Sequence, residues 1–525
     1  MTATTDPGRR PGDLIRADPL PRRFRPAHAE AAYRVFYQGV GHDGRGRLVT
    51  GSVFVPEGAP PGGGWPVVSY AHGTTGLSDR TAPSRTGLLR LEREHVAAWL
   101  AAGYAVAATD YEGLATPGPH PYLNGEAVAD DVIDIVRAAR RLDHPLDRRW
   151  LVAGFSQGGH AALFTALTAT RYAPELDFLG TVALAPPVHP VRVVATRTGD
   201  AAAAVCAFVP IVLAGLRARY PDFSPGFLTG RGTALVDLAA RVSLVEVFRA
   251  ARAITNHETG MTDLTRHPDV ARVLDECRVP VACLDRPVFL AAAGNDEIVP
   301  PAVIHDFADD IAAAGSAVRL TTYPDADHGA ILAAARPDAT AWAADVTGHA
   351  PAPVTPSPRF DLLDATGDGY LRRDDYEVFA LRLVQAFGHP PRSPAAMAVR
   401  SAYRALWRAL AAESDTDDDG RVDKAEFLAW AGRATHEVFD RTLRPLATAV
   451  LALVDVEGTG VVRRDGFLTL MARCGLPDAD ARTLFDRLDA DHRGTLGTDE
   501  IVRATREFCL EPAPDKPGHW LFGRF

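Results

Sequence analysis

Residues 150–160 read Trp-Leu-Val-Ala-Gly-Phe-Ser-Gln-Gly-Gly-His. An apolar run of strand character leads into a serine flanked two places away on either side by Gly154 and Gly158, and a helical run follows from His160. The two glycines permit a tight strand-to-helix turn, which lifts the Ser156 hydroxyl above the sheet at a helix N-terminus that favours developing negative charge. The stretch therefore predicts a nucleophile elbow, and such an elbow needs a parallel sheet around it. Working outward, short unbroken apolar runs at Val67–Tyr70, Ala105–Thr109, Thr181–Leu184, Val288–Ala293 and Val318–Tyr323 predict strands buried on both faces. Helical stretches between them, such as Gly125–Leu142, supply crossovers. The fold expected for residues 1–349 is α/β, a doubly wound, mainly parallel sheet. The alternation breaks at about residues 188–284, which read as helices and loops inserted between two strands, a cap.

A serine hydroxyl needs a base, and the base a carboxylate to orient it; on such a sheet they follow in the chain order Ser, Asp or Glu, His. Asp296 lies in Ala-Gly-Asn-Asp at the end of the Val288–Ala293 strand, and His328 in Pro-Asp-Ala-Asp-His-Gly after the next strand. Both are expected at the carboxyl edge of the sheet, with Glu297, Asp325 and Asp327 as rivals for the acid. The oxyanion donors expected are the backbone N–H of Gln157 and that of Thr74 or Thr75, in the loop His72-Gly73-Thr74-Thr75-Gly76. His72 is expected to shape that loop.

Three stretches carry a family likeness: WPVVSYAHGTTG (65–76), AATDYEGLATPGPHPYLNG (107–125) and GFSQGGHAALF (154–164). They resemble the secretory lipase family of α/β-hydrolases over roughly residues 10–348. The resemblance implies carboxylic ester or acylglycerol hydrolysis, a helical cap, and the triad Ser156, Asp296, His328. Thr81 stands near a position where members of that family often carry cysteine.

Residues 350–358, APAPVTPSP, read as an extended, fairly stiff linker. Beyond it, a 12-residue loop recurs from Asp364, Asp415, Asp455 and Asp489, each copy with glycine at position 6 and an apolar residue at position 8 (Leu371, Val422, Val462, Leu496). Oxygen side chains at positions 1, 3, 5 and 12 wrap one hard cation, and position 8 pairs neighbouring loops, so residues 359–525 predict an all-α domain of four EF-hands. The second loop is complete: Asp415, Asp417, Asp419, the carbonyl of Arg421, Asp423 and Glu426. The first offers Asp364, Thr366, Asp368, the carbonyl of Tyr370 and the shorter Asp375. The third has Asp455, Glu457 and Thr459 but ends in Gly466, and is expected to bind nothing. The fourth has Asp489, Asp491, the carbonyl of Thr495 and Glu500, with Arg493 where an oxygen belongs. The expected cofactor is thus Ca²⁺, none being required for the hydrolase chemistry. The loop spacing resembles the sarcoplasmic-type calcium-binding proteins and their bacterial calerythrin relatives; Trp520–Gly523 is expected to pack as a C-terminal anchor.

Composition narrows the partners. The net charge is −10 and only two lysines stand among 56 Lys+Arg, so no basic face for nucleic acid is expected. The apolar run Ala201–Leu216 is too short to span a bilayer and contains Pro210; burial in the cap is expected, with contact to an acyl chain as the rival. The first residues hold no apolar signal-peptide core, and five cysteines show no metal-site spacing, which points to free thiols and a cytoplasmic location. Together these features predict a serine esterase or lipase acting on small-molecule or lipid esters and joined to a calcium-binding module. The alternatives are a calcium buffer or sensor that uses the hydrolase domain for docking, and a peptidase or acyltransferase on the same fold.

Overall fold

In the computed structural model, strand β4 (Trp65–Ala71) is buried along its whole length, as are β5 (Ala105–Thr109) and β8 (Val288–Ala293). Runs of this kind have no solvent face, and fully burying each Val or Leu side chain contributes about 1.5–3 kcal/mol. β4 and β5 settle in the middle of one nine-stranded sheet, and β8 beside its edge strand β9 (Val318–Tyr323), with β1 (Leu14–Pro19), β2 (Ala29–Val40), β3 (Gly46–Pro56), β6 (Leu146–Phe155) and β7 (Asp177–Leu184) completing it. The order is β1-β2-β3-β5-β4-β6-β7-β8-β9. From β5 to β9 every neighbouring pair is parallel, while β1, β2 and β3 form an antiparallel edge that joins through β3 to β5.

The helices of this unit are α1 (Pro83–Thr86), α2 (Arg90–Ala101), α3 (Gly125–Ala139), α4 (Gln157–Tyr172), α5 (Pro190–Thr198), α6 (Phe208–Arg219), α7 (Gly230–Ala239), α8 (Leu244–Ala251), α9 (Asn256–Thr259), α10 (Pro268–Asp275), α11 (Pro301–Ala313), α12 (Ile331–Ala334) and α13 (Arg336–Thr347). One cluster of core residues joins α3 and α4 to the sheet through Val132, Ile135, Ala161 and Trp150; another joins α2 and α13 through Val96, Trp99, Trp342 and Phe289. Helices α5 to α10 fall between β7 and β8, where the sequence pattern broke, and have a core of their own around Ile211, Leu213, Val236, Val247 and Val273. Within the run Ala201–Leu216 the helix begins only at Phe208, and most of its apolar side chains face this cap core.

The chain divides into two units, Met1–Val354 and Thr355–Phe525. The second is helical, with helices at Arg373–Ala386, Pro394–Ser414, Arg444–Val454, Arg464–Arg473, Asp478–Leu488 and Thr498–Leu510 around one apolar core. Two short antiparallel ribbons join its loops: β10 (Tyr370–Leu371) pairs with β11 (Val422–Asp423), and β12 (Val461–Arg463) with β13 (Thr495–Gly497). The structure describes all residues except 1–8, 42, 221–222, 224–225, 350–359, 361–362, 365–369, 416–419, 424–425, 428–429, 431–438, 456–457, 474–475, 477 and 511–525. The expected linker at 350–358 and the anchor at Trp520–Gly523 lie outside the described residues. Among the described residues no helix is long and apolar enough to cross a membrane.

Candidate active site

Between the end of β6 and the start of α4, Ser156 takes φ 53° and ψ −118°, a conformation that L-residues adopt at a cost of about 1–3 kcal/mol. The turn closes so tightly that a Cβ on Gly154 would lie 2.0 Å from the carbonyl oxygen of Gly158, and one on Gly158 would lie 1.8 Å from that of Ala71. Only glycine fits either place. The Ser156 N–H donates to the carbonyl of Leu184 at 2.9 Å, pinning the elbow to the end of β7.

The loops after β8 and β9 meet above this point. Asn295 N–H donates to Ala326 O at 2.9 Å and Gly294 N–H to Tyr323 O at 2.8 Å, so the two loops are stitched together. Asp296 Oδ1 accepts the N–H groups of Ile298 and Val299, each at 2.8 Å, which leaves Oδ2 to accept from His328 Nδ1 at 2.7 Å. With its hydrogen on Nδ1, the ring presents a bare Nε2 to the Ser156 hydroxyl at 2.9 Å. All three residues are buried, and the rings of Phe155 and Phe208 flank His328 at 5.0 and 6.2 Å between centroids. The rivals for the acid, Glu297, Asp325 and Asp327, are exposed, and Asp327 caps the N–H groups of Gly329 and Ala330.

Gln157 opens α4, and Thr74 and Thr75 lie buried in the loop after β4. The Thr75 carbonyl accepts from Leu244 N–H at 2.9 Å, tying this loop to cap helix α8, and the Thr75 hydroxyl is buried with no partner among the described residues. His72 is buried, with Nδ1 donating to Gly73 O at 2.6 Å, and it serves the loop. A residue that the sequence reading missed holds the same loop from below. Glu92 on α2 accepts the Gly73 N–H at 2.7 Å and the Tyr70 hydroxyl at 3.1 Å through Oε1, and burial pushes its carboxyl above the usual range. Its signal was a carboxylate in the buried stripe Glu92, Val96, Trp99, at the spacing where an apolar residue belongs.

In the second unit, the position-8 residues pair as Leu371 with Val422 and Val462 with Leu496, all buried. Gly420, Gly460 and Gly494 take φ of 75°, 76° and 73°, and their N–H groups donate to Asp415, Asp455 and Asp489 at 2.9, 2.6 and 2.8 Å. Asp364, Tyr370, Asp375, Arg421 and Glu426 are described, whereas Thr366, Asp368, Asp417 and Asp419, and the side chain of Asp423, lie outside what is described. Among the described residues no group of three or more His, Cys, Asp or Glu side chains is poised as a metal cage. The turn at Gly420 and the bridge at Val422 nonetheless suit the second loop to a hard cation. In the fourth loop the Arg493 guanidinium reaches Asp491 at 2.6 Å and Glu500 at 2.7 Å, the carboxylates at positions 3 and 12.

A mainly parallel sheet with a serine elbow after β6 and with acid and imidazole after β8 and β9 defines an α/β-hydrolase. The model of the secretory lipase family matches residues 78–352, more than half of the chain. The chain belongs to that family. A protein of Mycobacterium tuberculosis named a probable inactive lipase is 25% identical over 330 residues, covering 60% of this chain and 73% of that protein. The rice cell wall degrading esterase LipA of Xanthomonas oryzae shares the fold with a TM-score of 0.53 and 19% identity, over 64% of this chain and 98% of that one. Calerythrin of Saccharopolyspora erythraea is 28% identical over 154 residues, 29% of this chain and 87% of its own length. The second unit is accordingly an EF-hand-like region.

Proposed function

We propose that this chain hydrolyses carboxylic esters through an acyl-enzyme on Ser156, and that its second unit binds Ca²⁺. The observation that carries the first part is the continuous row from Asp296 Oδ2 to His328 to Ser156 Oγ, with contacts of 2.7 and 2.9 Å. Ser156 Oγ attacks the ester carbonyl while His328 Nε2 takes its proton. Asp296 stabilises the imidazolium so formed. The oxyanion of the tetrahedral intermediate is met by the N–H of Gln157 and that of Thr74 or Thr75. Collapse expels the alcohol with the proton from His328, and water repeats the sequence on the acyl group. The name of the mycobacterial relative speaks for that protein alone; here the serine, the base and the acid are all present and hydrogen-bonded. Apolar rings around His328 favour a substrate with an apolar acyl group. Ser156→Ala is expected to lower kcat on p-nitrophenyl esters by about 10⁴-fold or more and to abolish labelling by a fluorophosphonate. Near-full activity in that variant overturns the reading.

The calcium reading rests on the repeated loops and the calerythrin likeness. The second loop would hold the ion through Asp415, Asp417, Asp419, the carbonyl of Arg421, Asp423 and Glu426; the first, through Asp364, Thr366, Asp368, the carbonyl of Tyr370 and Asp375, binds more weakly because Asp375 is short. Bound Ca²⁺ supplies charge neutralisation to an acidic unit and takes no part in ester cleavage. We further propose that it regulates or stabilises the chain; kinetics and melting with Ca²⁺ or a chelator test this, and no response in either refutes it. The free thiols Cys206 and Cys283 support a cytoplasmic location, which cell fractionation tests.

A further inference from the structure

The turn His120-Pro121-Tyr122, between β5 and α3, touches both halves of the oxyanion site. His120 and Tyr122 are buried, and the Tyr122 N–H donates to His120 O at 2.8 Å, so the two side chains leave one closed turn. His120 Nδ1 lies 2.9 Å from the carbonyl of Glu112, which can only accept, so the ring hydrogen is on Nδ1. Its bare Nε2 then accepts from the Gln157 side-chain amide at 2.9 Å. Burial pushes this imidazole down to about 4, which keeps that tautomer neutral through the pH range where an esterase works. The Tyr111 ring stacks on His120 at 5.7 Å, and the Tyr111 hydroxyl donates to His72 O at 2.8 Å, so the stack is anchored in the opposite loop. Two residues on from His120, the Tyr122 hydroxyl bonds the Thr74 hydroxyl at 2.7 Å. Its ring is backed by Gly215 of cap helix α6, where even a Cβ would lie 2.6 Å from Tyr122 Cβ.

We propose that His120 and Tyr122 are positioning residues for ester hydrolysis, a clip that holds Gln157 with one ring and Thr74 with the other so that the two oxyanion donors stay in register. The proposal rests on the catalytic reading of Ser156. Neither ring meets the reacting atoms: His120 Nε2 is engaged by Gln157 and the Tyr122 hydroxyl by Thr74. Their effect is on placement, and oxyanion donors act only where the charge develops, within a few tenths of an ångström. Because Gly215 of the cap closes against Tyr122, the clip also links the seating of α6 to the loop that carries Thr74.

The test uses the full-length protein with Tyr122→Phe, Thr74→Val, His120→Phe and His120→Gln, assayed on a soluble p-nitrophenyl ester and with a trifluoromethyl ketone whose adduct bears the oxyanion. Tyr122→Phe keeps its ring and removes the bond to Thr74, whereas His120→Phe keeps an aromatic ring and removes two bonds, to Gln157 and to the Glu112 carbonyl. Each is expected to lower kcat about tenfold and weaken the ketone by a similar factor, with KM within about twofold and a loss in kcat that does not follow the fall in melting caused by the unpaired buried groups. His120→Gln returns an acceptor to Gln157 and is expected to recover most of the loss. Tyr122→Phe with Thr74→Val removes the same bond twice and should be no worse than the stronger single variant, whereas Tyr122→Phe with His120→Phe should multiply. Values of kcat within twofold of wild type in both Phe variants, or losses that track a fall in melting temperature, overturn the clip alone. A wild type that neither cleaves esters nor takes a fluorophosphonate on Ser156 overturns the catalytic reading and the clip with it.

Discussion

Asp296→Asn separates the geometry of this site from its chemistry. Asp296 Oδ1 accepts two backbone N–H groups, from Ile298 and Val299, and Oδ2 accepts the His328 Nδ1 hydrogen. An asparagine has one oxygen for these two places. Turning its NH₂ toward Ile298 and Val299 would set donor against donor at two buried groups, at about 1–3 kcal/mol each, so the oxygen stays there and the NH₂ faces His328. Nδ1 must then accept, which moves the ring hydrogen to Nε2, 2.9 Å from Ser156 Oγ. In that tautomer the imidazole cannot take the serine proton. The expected loss in kcat is about 10⁴-fold, or about 5 kcal/mol of barrier, while the melting temperature stays near that of wild type because both backbone bonds survive. Asp296→Ala is expected to behave differently, leaving both N–H groups unpaired and lowering stability by about 2 kcal/mol or more. Steady-state hydrolysis of a p-nitrophenyl ester, corrected by active-site titration, together with melting curves, measures both. Retention of more than a tenth of kcat by the Asn variant refutes the tautomer argument, and equal melting of the Asn and Ala variants refutes the anchoring role of Oδ1.

Gly158→Ala puts a Cβ 1.8 Å from the Ala71 oxygen and 2.4 Å from its carbon, so the elbow must open; a loss on the order of 3 kcal/mol is expected in urea unfolding, and an unchanged midpoint would show that the turn is not closed against β4. His160, buried with Nε2 donating to Cys277 O at 2.7 Å, is pushed by burial from 6.5 down to about 4. Its folded value lies below its unfolded one, so its contribution is complete above about pH 6.5 and is lost as pH falls toward about 4; His160→Gln, which keeps a donor, should flatten the stability curve in that window by about 3 kcal/mol, and parallel curves would refute this. In the fourth loop, Arg493→Asn frees Asp491 and Glu500 and is expected to add one Ca²⁺ to the stoichiometry measured by calorimetry; an unchanged count would mean that Arg493 is not what blocks the loop.

How much of this was readable beforehand varies with the kind of signal each part leaves. Strands β4, β5 and β8 announce themselves because both faces are buried and their residues are uniformly apolar. The antiparallel edge does not: β2 mixes Glu30, Arg34 and Gln38 with buried Val35 and Tyr37, and its partner β3 starts exposed and ends buried, so neither gives a clean period. The repeated loops of the second unit are legible because their recurring residues fall within a single 12-residue stretch, where spacing is itself the signal.

Distance along the chain does not explain the rest, because Ser156 and His328 are 172 residues apart and were still paired from sequence, while His120 and Gln157, 37 apart, and Thr74 and Tyr122, 48 apart, were not. The difference lies in what chemistry demands. A serine nucleophile requires a base and an acid, and the fold allows them at few strand ends, so the search has few answers. Nothing in ester cleavage requires that the Gln157 side chain be held by histidine rather than by any other acceptor, or that a glutamate rather than a carbonyl receive the Gly73 N–H. Glu92, His120 and Tyr122 are one solution among many to a requirement for rigidity, and only the folded chain shows which solution was taken. Substitutions at these three positions should therefore be graded and rescuable by other hydrogen-bonding side chains, whereas those at Ser156 or His328 should not.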